Sequence, residues 1–158
     1  MKIYLASDHA GVELKEKVKK YLIESGYEVD DKGAHRFDPE DDYPDLIRPA
    51  AEDVARDVGS RGIIFGGSGQ GEAMAANRIP GVRAAVFYGG GWVGLVQNVI
   101  KFSRDHNDAN VLSIGARFVD FEHAKSAIDL WLKAPFSKEE RHARRIRKLD
   151  PVRSPSSR

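Results

Sequence analysis

The sequence predicts an α/β protein, a three-layer α/β/α sandwich on a five-stranded parallel sheet, with an extra helix at its C-terminal end. Short runs rich in apolar residues alternate with longer segments in which apolar residues recur every three or four positions. Strands that alternate with helices along a chain pair in parallel through right-handed crossovers. The helices then cover both faces of the sheet, which agrees with strands that read as continuous apolar runs.

Five segments are predicted as strands and six as helices. Three of the helical segments, at 12–25, 44–58 and 124–132, carry apolar residues at the three- and four-residue spacing of one buried face. The predicted strands span residues 2–7, 27–30, 63–65, 82–87 and 109–115. The predicted helices span residues 12–25, 44–58, 72–77, about 92–103, 124–132 and 137–149.

Glycine, proline and capping residues set the predicted boundaries of several helices. Gly26 and Gly59 each follow a helical stripe, at the position where a helix commonly ends. Pro44 suits the first turn of a helix, because its missing N–H group is not needed there. Ser137 and Glu140 have the spacing of a capping box for the last helix.

The composition is typical of one globular domain, which we expect to cover residues 1–150, followed by a disordered tail over 151–158. Hydrophobic residues make up 41% of the 158 residues and charged residues 31%, which argues against a disordered chain. No run approaches the ~18 apolar residues of a membrane span, and Asp8 comes too early for a signal peptide. The absence of cysteine excludes disulfides and thiolate chemistry. We expect a cytoplasmic location and no membrane partner.

The net charge of +1 conceals an uneven distribution of charge along the chain. The segment from Lys138 to Arg158 has eight Lys and Arg against three Asp and Glu, a net charge of +5, so the remainder carries −4. A basic tail on an acidic body could bind nucleic acid, a membrane surface, or an anionic site of a neighbouring subunit.

A glycine-rich turn lies at the centre of the sequence, between a predicted strand and a predicted helix. Strand residues 63–65 are followed by Gly66, Gly67, Gly69 and Gly71, which permit backbone conformations that other residues avoid. The N–H groups of such a turn, with a helix N-terminus behind them, favour a bound anion. The turn therefore predicts an anionic ligand.

Glu72 stands at the mouth of this turn, and two interpretations of it stay open. An acid in the first turn of a helix commonly complements the helix dipole. The same carboxylate is also placed to act as a general base beside a site for a developing oxyanion. A nucleotide-binding loop has less support, because Glu72 occupies a position where the G-x-G-x-x-G fingerprint needs glycine.

Several polar residues follow predicted strands, where the ligands of an open parallel sheet bind. This rule brings Asp8, His9, residues 66–72 and the neighbourhoods of residues 88 and 117 to one edge of the sheet. His9 is either a substrate ligand or a histidine bonded to the backbone of its own turn. Asp8 could fix the tautomer of His9 or contact a substrate hydroxyl.

Further candidates lie away from that edge. His106 lies in a predicted polar connector, residues 104–108, near the opposite edge of the sheet unless a second subunit contributes it. Arg141 and Arg145 share a helical face that suits a phosphate, although a solvated basic helix is the more common arrangement. No histidine pair has metal-binding spacing, and the basic segment lacks the interleaved aromatic residues of nucleic-acid binders.

Six motifs together resemble those of the B-type ribose-5-phosphate isomerases and the related galactose and allose 6-phosphate isomerases. They occur in order over roughly residues 2–149. They are Ser7-Asp8-His9-Ala10-Gly11, Tyr43-Pro44-Asp45, Gly67-Ser68-Gly69-Gln70-Gly71, Ala75-Ala76-Asn77-Arg78, His106-Asn107-Asp108-Ala109-Asn110-Val111 and Gly115-Ala116-Arg117. The resemblance implies a Rossmann-like sheet, no metal or cofactor, and a homodimer with sites shared between subunits. A larger oligomer such as a tetramer stays open.

The resemblance also implies a reaction, the interconversion of an aldose phosphate and its ketose phosphate by proton transfer between C1 and C2. In one branch the base is a cysteine just before the glycine turn, but Gly66 stands there, so the resemblance points to the branch with Glu72 as base. The implied catalytic residues are Glu72, His106, Asp8 and Ser68. The implied substrate-binding residues are Asp8, His9, Tyr43, Gly67, Ser68, Gly69, Gln70, Gly71, Asn107, Arg117, Arg141 and Arg145, the last two from the partner subunit.

The expected function is therefore interconversion of ribose 5-phosphate and ribulose 5-phosphate through an enediolate. One alternative is an isomerase of another sugar phosphate, such as allose or galactose 6-phosphate or a tetrose phosphate. A second alternative is a phosphate- or nucleotide-binding module without catalysis, and a third is a nucleic-acid binder that uses the basic tail.

Overall fold

The structure is a computed structural model of the chain, and it describes residues 1–89 and 93–149. The predicted tail at 151–158 lies outside the described residues, as do Gly90, Gly91 and Trp92 of the glycine run and the predicted helix start. Within the described ranges, no helix combines the length and the apolar character needed to cross a membrane.

Five strands form one parallel sheet in the order β2-β1-β3-β5-β4. The strands are β1 Lys2–Ser7, β2 Glu28–Asp31, β3 Arg61–Gly66, β4 Ala84–Phe87 and β5 Val111–Gly115. The helices are α1 Val12–Glu24, α2 Tyr43–Arg56, α3 Gln70–Ala76, α4 Val93–Asp105, α5 Phe121–Lys133 and α6 Glu140–Leu149. A short 3-10 turn, His9–Gly11, precedes α1.

The sheet buries two separate cores, because successive side chains of a strand point to opposite faces. Ile3, Leu5 and Leu112 pack on one face together with residues of α1, α4 and α5. Tyr4 and Ile64 pack on the other face together with residues of α2 and α3. Helices on both faces give three layers, which confirms the predicted fold class.

The fourth and fifth strands each begin two residues later than predicted. The backbone N–H of Arg83 donates to the side-chain oxygen of Asn110 at 2.8 Å, and the N–H of Ala84 donates to that of Asn77 at 2.7 Å. Side-chain amides thus occupy backbone groups just before the sheet ladder starts. The predicted connector at 104–108 is also shorter than expected, because α4 continues through Asp105.

The capping box predicted for the last helix is wrong. The backbone carbonyl of Glu139 accepts from the N–H groups of His142 and Ala143, so the helix begins at Glu140. The N–H of Ser137 donates instead to the carbonyl of Asp105 at 3.0 Å, and the Glu140 carboxylate accepts from Arg147 at 2.6 Å. Docking of the segment on the end of α4 therefore replaces the local cap.

Candidate active site

A crevice is expected where the strand order reverses, beyond the carboxyl ends of β1 and β3. Ser7 and Phe65 are register partners at this edge, and the N–H of Asp8 donates to the carbonyl of Phe65 at 3.1 Å. A Cβ at Gly11 would lie 2.6 Å from that of Phe65, so only glycine lets the turn after β1 pack this closely. The segments that leave β1 and β3 are thereby brought together.

The glycine turn between β3 and α3 is fastened to the end of β5. The Ser113 hydroxyl donates to the carbonyl of Gly69 at 2.6 Å, and Gly69 has a φ of +76°, in the left-handed region that favours glycine. The N–H of Ala116 donates to the carbonyl of Gly66 at 2.8 Å. These bonds hold the turn beside residues 115–117, as the sequence predicted.

The carboxylate of Glu72 lies directly over the backbone of Gly66. A Cβ at position 66 would overlap the Cδ and both carboxylate oxygens of Glu72, so the two positions compete for one space. Glu72 is only 4% exposed, although it lies in the first turn of α3, where an acid that only complements the helix dipole would face solvent. The arrangement favours the general-base interpretation.

The surroundings of Glu72 raise the pKa of its carboxyl above the usual value. Burial is the largest cause, because it disfavours the charged form. The hydrogen bond from its own backbone N–H opposes the shift, while the carboxyl groups of Asp8 and Asp41 add to it. A carboxylate with a raised pKa is a stronger proton acceptor at neutral pH than an exposed one.

Asp8 is held rigidly at the start of the 3-10 turn. Its Oδ1 accepts from the N–H of Gly11 at 3.0 Å, and the residue is 7% exposed. This bond fixes the carboxylate beside Glu72, where it interacts both by charge and by a hydrogen bond. Asp8 does not bond to His9, whose Nδ1 lies 2.8 Å from Oδ1 of Asp41, so the suggestion that Asp8 fixes the His9 tautomer is wrong.

Two predicted binding residues pack against glycines of the turn. A Cβ at Gly71 would lie 2.9 Å from Cζ of Tyr43, so the phenol ring covers that glycine. A Cβ at Gly67 would lie 3.2 Å from the guanidinium carbon of Arg117. Both side chains are at least partly exposed and leave room for a ligand beside them. Ser68 is exposed at the tip of the turn, where its Oγ accepts from the N–H of Gln70 at 3.3 Å.

The other predicted site residues form a second cluster, separated from Glu72 by the length of the sheet. The ring of His106 stacks between those of Phe102 and His142, at centroid distances of 4.6 and 4.3 Å. Arg141 and Arg145 lie on α6 near His142, and both lower its pKa together with burial, the largest cause, and His106. We call His106, Asn107, Arg141, His142 and Arg145 the far cluster.

Two arginines bond to the segment before β5, which includes Asn107 of the far cluster. Asp108 has a φ of +44° and accepts from Arg83 at 3.1 Å and from Arg104 at 2.7 Å. Arg83 also donates to the carbonyl of Asn107 at 3.1 Å. Asn107 lines an open cleft of about 720 Å³, which therefore lies with the far cluster and not with Glu72.

The sequence matches a known protein family over most of its length. A family model described as Ribose/Galactose Isomerase matches residues 3–149. The chain belongs to that isomerase family. Ribose-5-phosphate isomerase B of Mycobacterium tuberculosis strain H37Rv is 42% identical over 146 residues, which are 92% of this chain and 86% of that protein.

Solved structures of family members have the same fold. A ribose 5-phosphate isomerase from Thermotoga maritima superposes with a TM-score of 0.86 at 39% identity, covering 96% of this chain and 98% of that one. Ribose-5-phosphate isomerase B from Mycoplasma genitalium, solved with bound ribulose-5-phosphate, superposes with a TM-score of 0.85 at 36% identity, covering 94% and 93%.

Three residues of this isomerase chain escaped the sequence analysis. Asp41 contacts His9, Ser113 fastens the glycine turn, and His142 stacks on His106. Ser113 stands in a buried strand near the turn, so its polarity was an available signal. Among the described residues, no group of three or more His, Asp or Glu is arranged to hold a metal ion.

Proposed function

We propose that this chain interconverts ribose 5-phosphate and ribulose 5-phosphate, with Glu72 as the base that moves a proton between C2 and C1. The observation that carries the proposal is the buried Glu72 carboxylate, over Gly66 at the mouth of the glycine turn. The relatives named as ribose-5-phosphate isomerases support the choice of substrate. Residues 1–150 would form one isomerase domain.

In the forward direction, Glu72 takes the proton from C2 of the open-chain aldose and an enediolate forms. The same proton, now on Glu72, goes to C1 while the hydroxyl proton on O2 passes to O1, so the carbonyl ends at C2. A raised pKa suits both steps, because the carboxyl must accept a proton and then release it. The C2 proton is only weakly acidic, so the negative charge on the enediolate oxygens also needs stabilisation.

The glycine turn is the proposed source of that stabilisation. Gly67, Gly69 and Gly71 place backbone N–H groups at the start of α3, and one such donor aimed at a developing oxyanion contributes about 3 kcal/mol. Ser68 and Gln70, both exposed in the turn, would contact the sugar oxygens. Asp8, fixed beside Glu72, would bind a hydroxyl next to the reacting carbons.

The remaining residues on this edge are proposed to hold the rest of the sugar phosphate. Tyr43 and Arg117 border the glycine turn, and the charge of Arg117 acts on His9, whose pKa it lowers. Arg117 supplies a cation for the phosphate. Contacts far from the reacting carbons contribute binding energy that orients those carbons.

The far cluster is proposed to act on the site of a second subunit. β5 has five residues, so the chain before it and the chain after it lie about 15 Å apart. That separation prevents His106 and Glu72 of one chain from acting on the same carbon atoms. In a homodimer, His106 would open the sugar ring with Asn107 beside it, and Arg141 and Arg145 would hold the phosphate.

The deciding experiment measures ketose formation from ribose 5-phosphate in the presence of EDTA, with allose and galactose 6-phosphates assayed in parallel. We expect turnover of the pentose phosphate, and a loss of about 1,000-fold in kcat for Glu72→Gln. The matched control is Glu122→Gln, which makes the same change in the first turn of α5 at an exposed position. Turnover of a hexose phosphate alone would keep the mechanism and change the substrate.

Activity of Glu72→Gln within a few-fold of wild type would remove Glu72 as the base. No turnover of any of the three sugars would contradict the proposed function. A place in the pentose phosphate pathway and a cytoplasmic location are parts of the same proposal and stay predictions.

A further inference from the structure

The segment between β2 and α2 carries an acid, Asp41, that bonds to the histidine after β1. Oδ1 of Asp41 lies 2.8 Å from Nδ1 of His9, across 32 residues of sequence. The rings of Phe37 and His9 meet in a T-shaped contact with their centroids 5.7 Å apart, which restricts rotation of the imidazole. No described residue bonds to the second ring nitrogen, Nε2, of this partly buried histidine.

The second carboxylate oxygen of Asp41, Oδ2, is buried and has no hydrogen-bond partner among the described residues. Leaving a buried carboxylate oxygen unpaired is unfavourable. A purely structural role, in which Asp41 only fastens the loop, therefore does not explain why an acid stands at this position. Asp42, the next residue, is exposed and its side chain does not cap α2. Of the two adjacent acids, one is therefore directed into the site and one is directed to solvent.

We propose that Asp41 is a positioning residue, which holds His9 with its proton on Nδ1 and keeps the imidazole cationic, so that Nε2–H donates to an oxygen of the bound sugar phosphate. The proposal rests on the proposed function, because His9 is a substrate ligand only if the crevice binds a sugar phosphate. It extends that function by assigning a role to a residue of the segment before α2.

The charged groups around the pair act on it in a definite direction. The hydrogen bond to Asp41 is the largest cause that raises the pKa of His9, against the effect of burial. Asp8 also raises this pKa, and Arg117 lowers it. Asp41 acts on Glu72 as well, where its negative charge is one of the causes that raise the pKa of that carboxyl. One carboxylate thus raises the pKa of both a ligand and the base.

The consequence is a specific effect on the pH profile of isomerisation. Glu72 must be unprotonated to act, which sets the acid limb, and cationic His9 binds best, which sets the basic limb. Removal of the Asp41 charge lowers both pKa values. In Asp41→Asn, the whole profile should therefore move towards lower pH, whereas a loss of packing would reduce the rate without moving either limb.

The test compares Asp41→Asn with wild type and with Asp42→Asn as the matched control. The KM for ribose 5-phosphate should rise by up to about tenfold at a pH just above the usual histidine pKa, the loss of one charge-assisted hydrogen bond, and stay near the wild-type value at a pH about one unit below it. Asp42→Asn should keep the wild-type profile. An Asp41→Asn profile with both limbs unmoved, or a KM ratio that is the same at both pH values, would overturn the proposal.

A second measurement needs no turnover and does not depend on Asp41→Asn being stable. Imidazole ¹⁵N shifts of wild-type protein without ligand, assigned with His9→Gln, should show His9 titrating above the usual histidine pKa with its proton on Nδ1. Titration at or below that usual value, or a proton on Nε2 in the neutral form, would overturn the proposal. Failure of the proposed function is distinguishable, because it would abolish turnover and leave these shifts as expected.

Discussion

Glu72 combines burial with a raised pKa, and this combination has a consequence for stability as well as for catalysis. The folded chain favours the protonated carboxyl, whereas the unfolded chain exposes the group with its usual pKa. The contribution of this group to stability is therefore complete below the unfolded pKa and is lost as pH rises through the folded pKa. At neutral pH, the charged form is buried at a cost.

Glu72→Gln should therefore stabilise the fold at neutral pH while it abolishes isomerisation. Glutamine has nearly the same shape and stays neutral, so the cost of the buried charge disappears. We expect the melting temperature to rise by about 2–4 °C at pH 7.5, which for a chain of this size corresponds to roughly 1 kcal/mol. The measurement is thermal unfolding of both proteins from pH 4 to pH 8.

The difference between the two melting temperatures should shrink as pH falls through the folded pKa and vanish below the usual glutamate pKa. A Glu72→Gln protein that is less stable than wild type at pH 7.5 would show that the ionised carboxylate is well compensated in the fold. That result would contradict the direction of the pKa shift and weaken the case for Glu72 as a poised base.

The sequence predicted some site residues and missed others for a physical reason. Asp8, Glu72 and Arg117 each follow a strand, so the rule for open parallel sheets was enough to place them on one edge. Asp41 is one of four acids in the segment between β2 and α2, and only the path of that segment selects it. His142 lies among arginines on a helix, and its stacking on His106 depends on how two helices pack.

At the scale of elements, the unit from β3 through the glycine turn to α3 requires glycine at position 66. The requirement there is for space beside the backbone and not for a special backbone conformation. Gly66 belongs to a buried strand, and the volume over its Cα is filled by the carboxylate of Glu72. Gly115 at the end of β5 likewise lies against the backbone of Ser68, where a Cβ would come within 2.7 Å of the carbonyl oxygen. The turn thus packs directly on the backbone of β5 at Gly115, whereas at Gly66 the space holds the Glu72 carboxylate.

Gly66→Ala should destabilise the wild-type chain and be nearly neutral in a Glu72→Ala background. The new Cβ collides with the carboxylate in the first case and occupies vacated space in the second. A double-mutant cycle should therefore give a coupling of about 1–3 kcal/mol from denaturant unfolding. Gly66→Ala alone should also lose most of its kcat, because the base is displaced.

The cycle has a clear control in Gly62, a glycine in the same strand whose neighbours are valine side chains. Gly62→Ala should show no coupling to Glu72→Ala. Equal destabilisation by Gly66→Ala in both backgrounds would mean that the backbone, and not the carboxylate, requires glycine at position 66.

Element boundaries were predicted less well than element identity, because asparagine side chains compete for backbone groups. Asn77 bonds both the N–H and the carbonyl of Ala84, and Asn110 bonds the N–H of Arg83 and the carbonyl of Gly81. Both asparagines belong to motifs that carried the family resemblance. Their contacts in the fold are structural, and they bond backbone groups at and just before the start of β4.

At the scale of the whole molecule, the candidate site residues of the described chain lie at both ends of its sheet. Glu72, Asp8, His9 and Arg117 lie at the carboxyl ends of the strands, and the far cluster lies before β5. Three large apolar side chains that follow β3, β4 and β5 are also exposed, with Met74 61%, Tyr88 53% and Phe118 65% accessible. Such exposure is typical of a surface that another subunit covers.

A shared site makes a quantitative prediction for mixed subunits. Glu72→Gln and Arg141→Ala chains should each be inactive, but a heterodimer joins an intact Glu72 from one chain to an intact Arg141 from the other. Random exchange makes half of the dimers mixed, and each has one repaired site, so about a quarter of wild-type activity should return.

Activity is measured after subunit exchange has been verified by mass spectrometry of the intact dimers. Mixing Glu72→Gln with Asp8→Ala, two residues of the same half-site, should restore nothing. Recovery in that control, or none in the first mixture despite complete exchange, would contradict a site shared between Glu72 of one subunit and Arg141 of its partner.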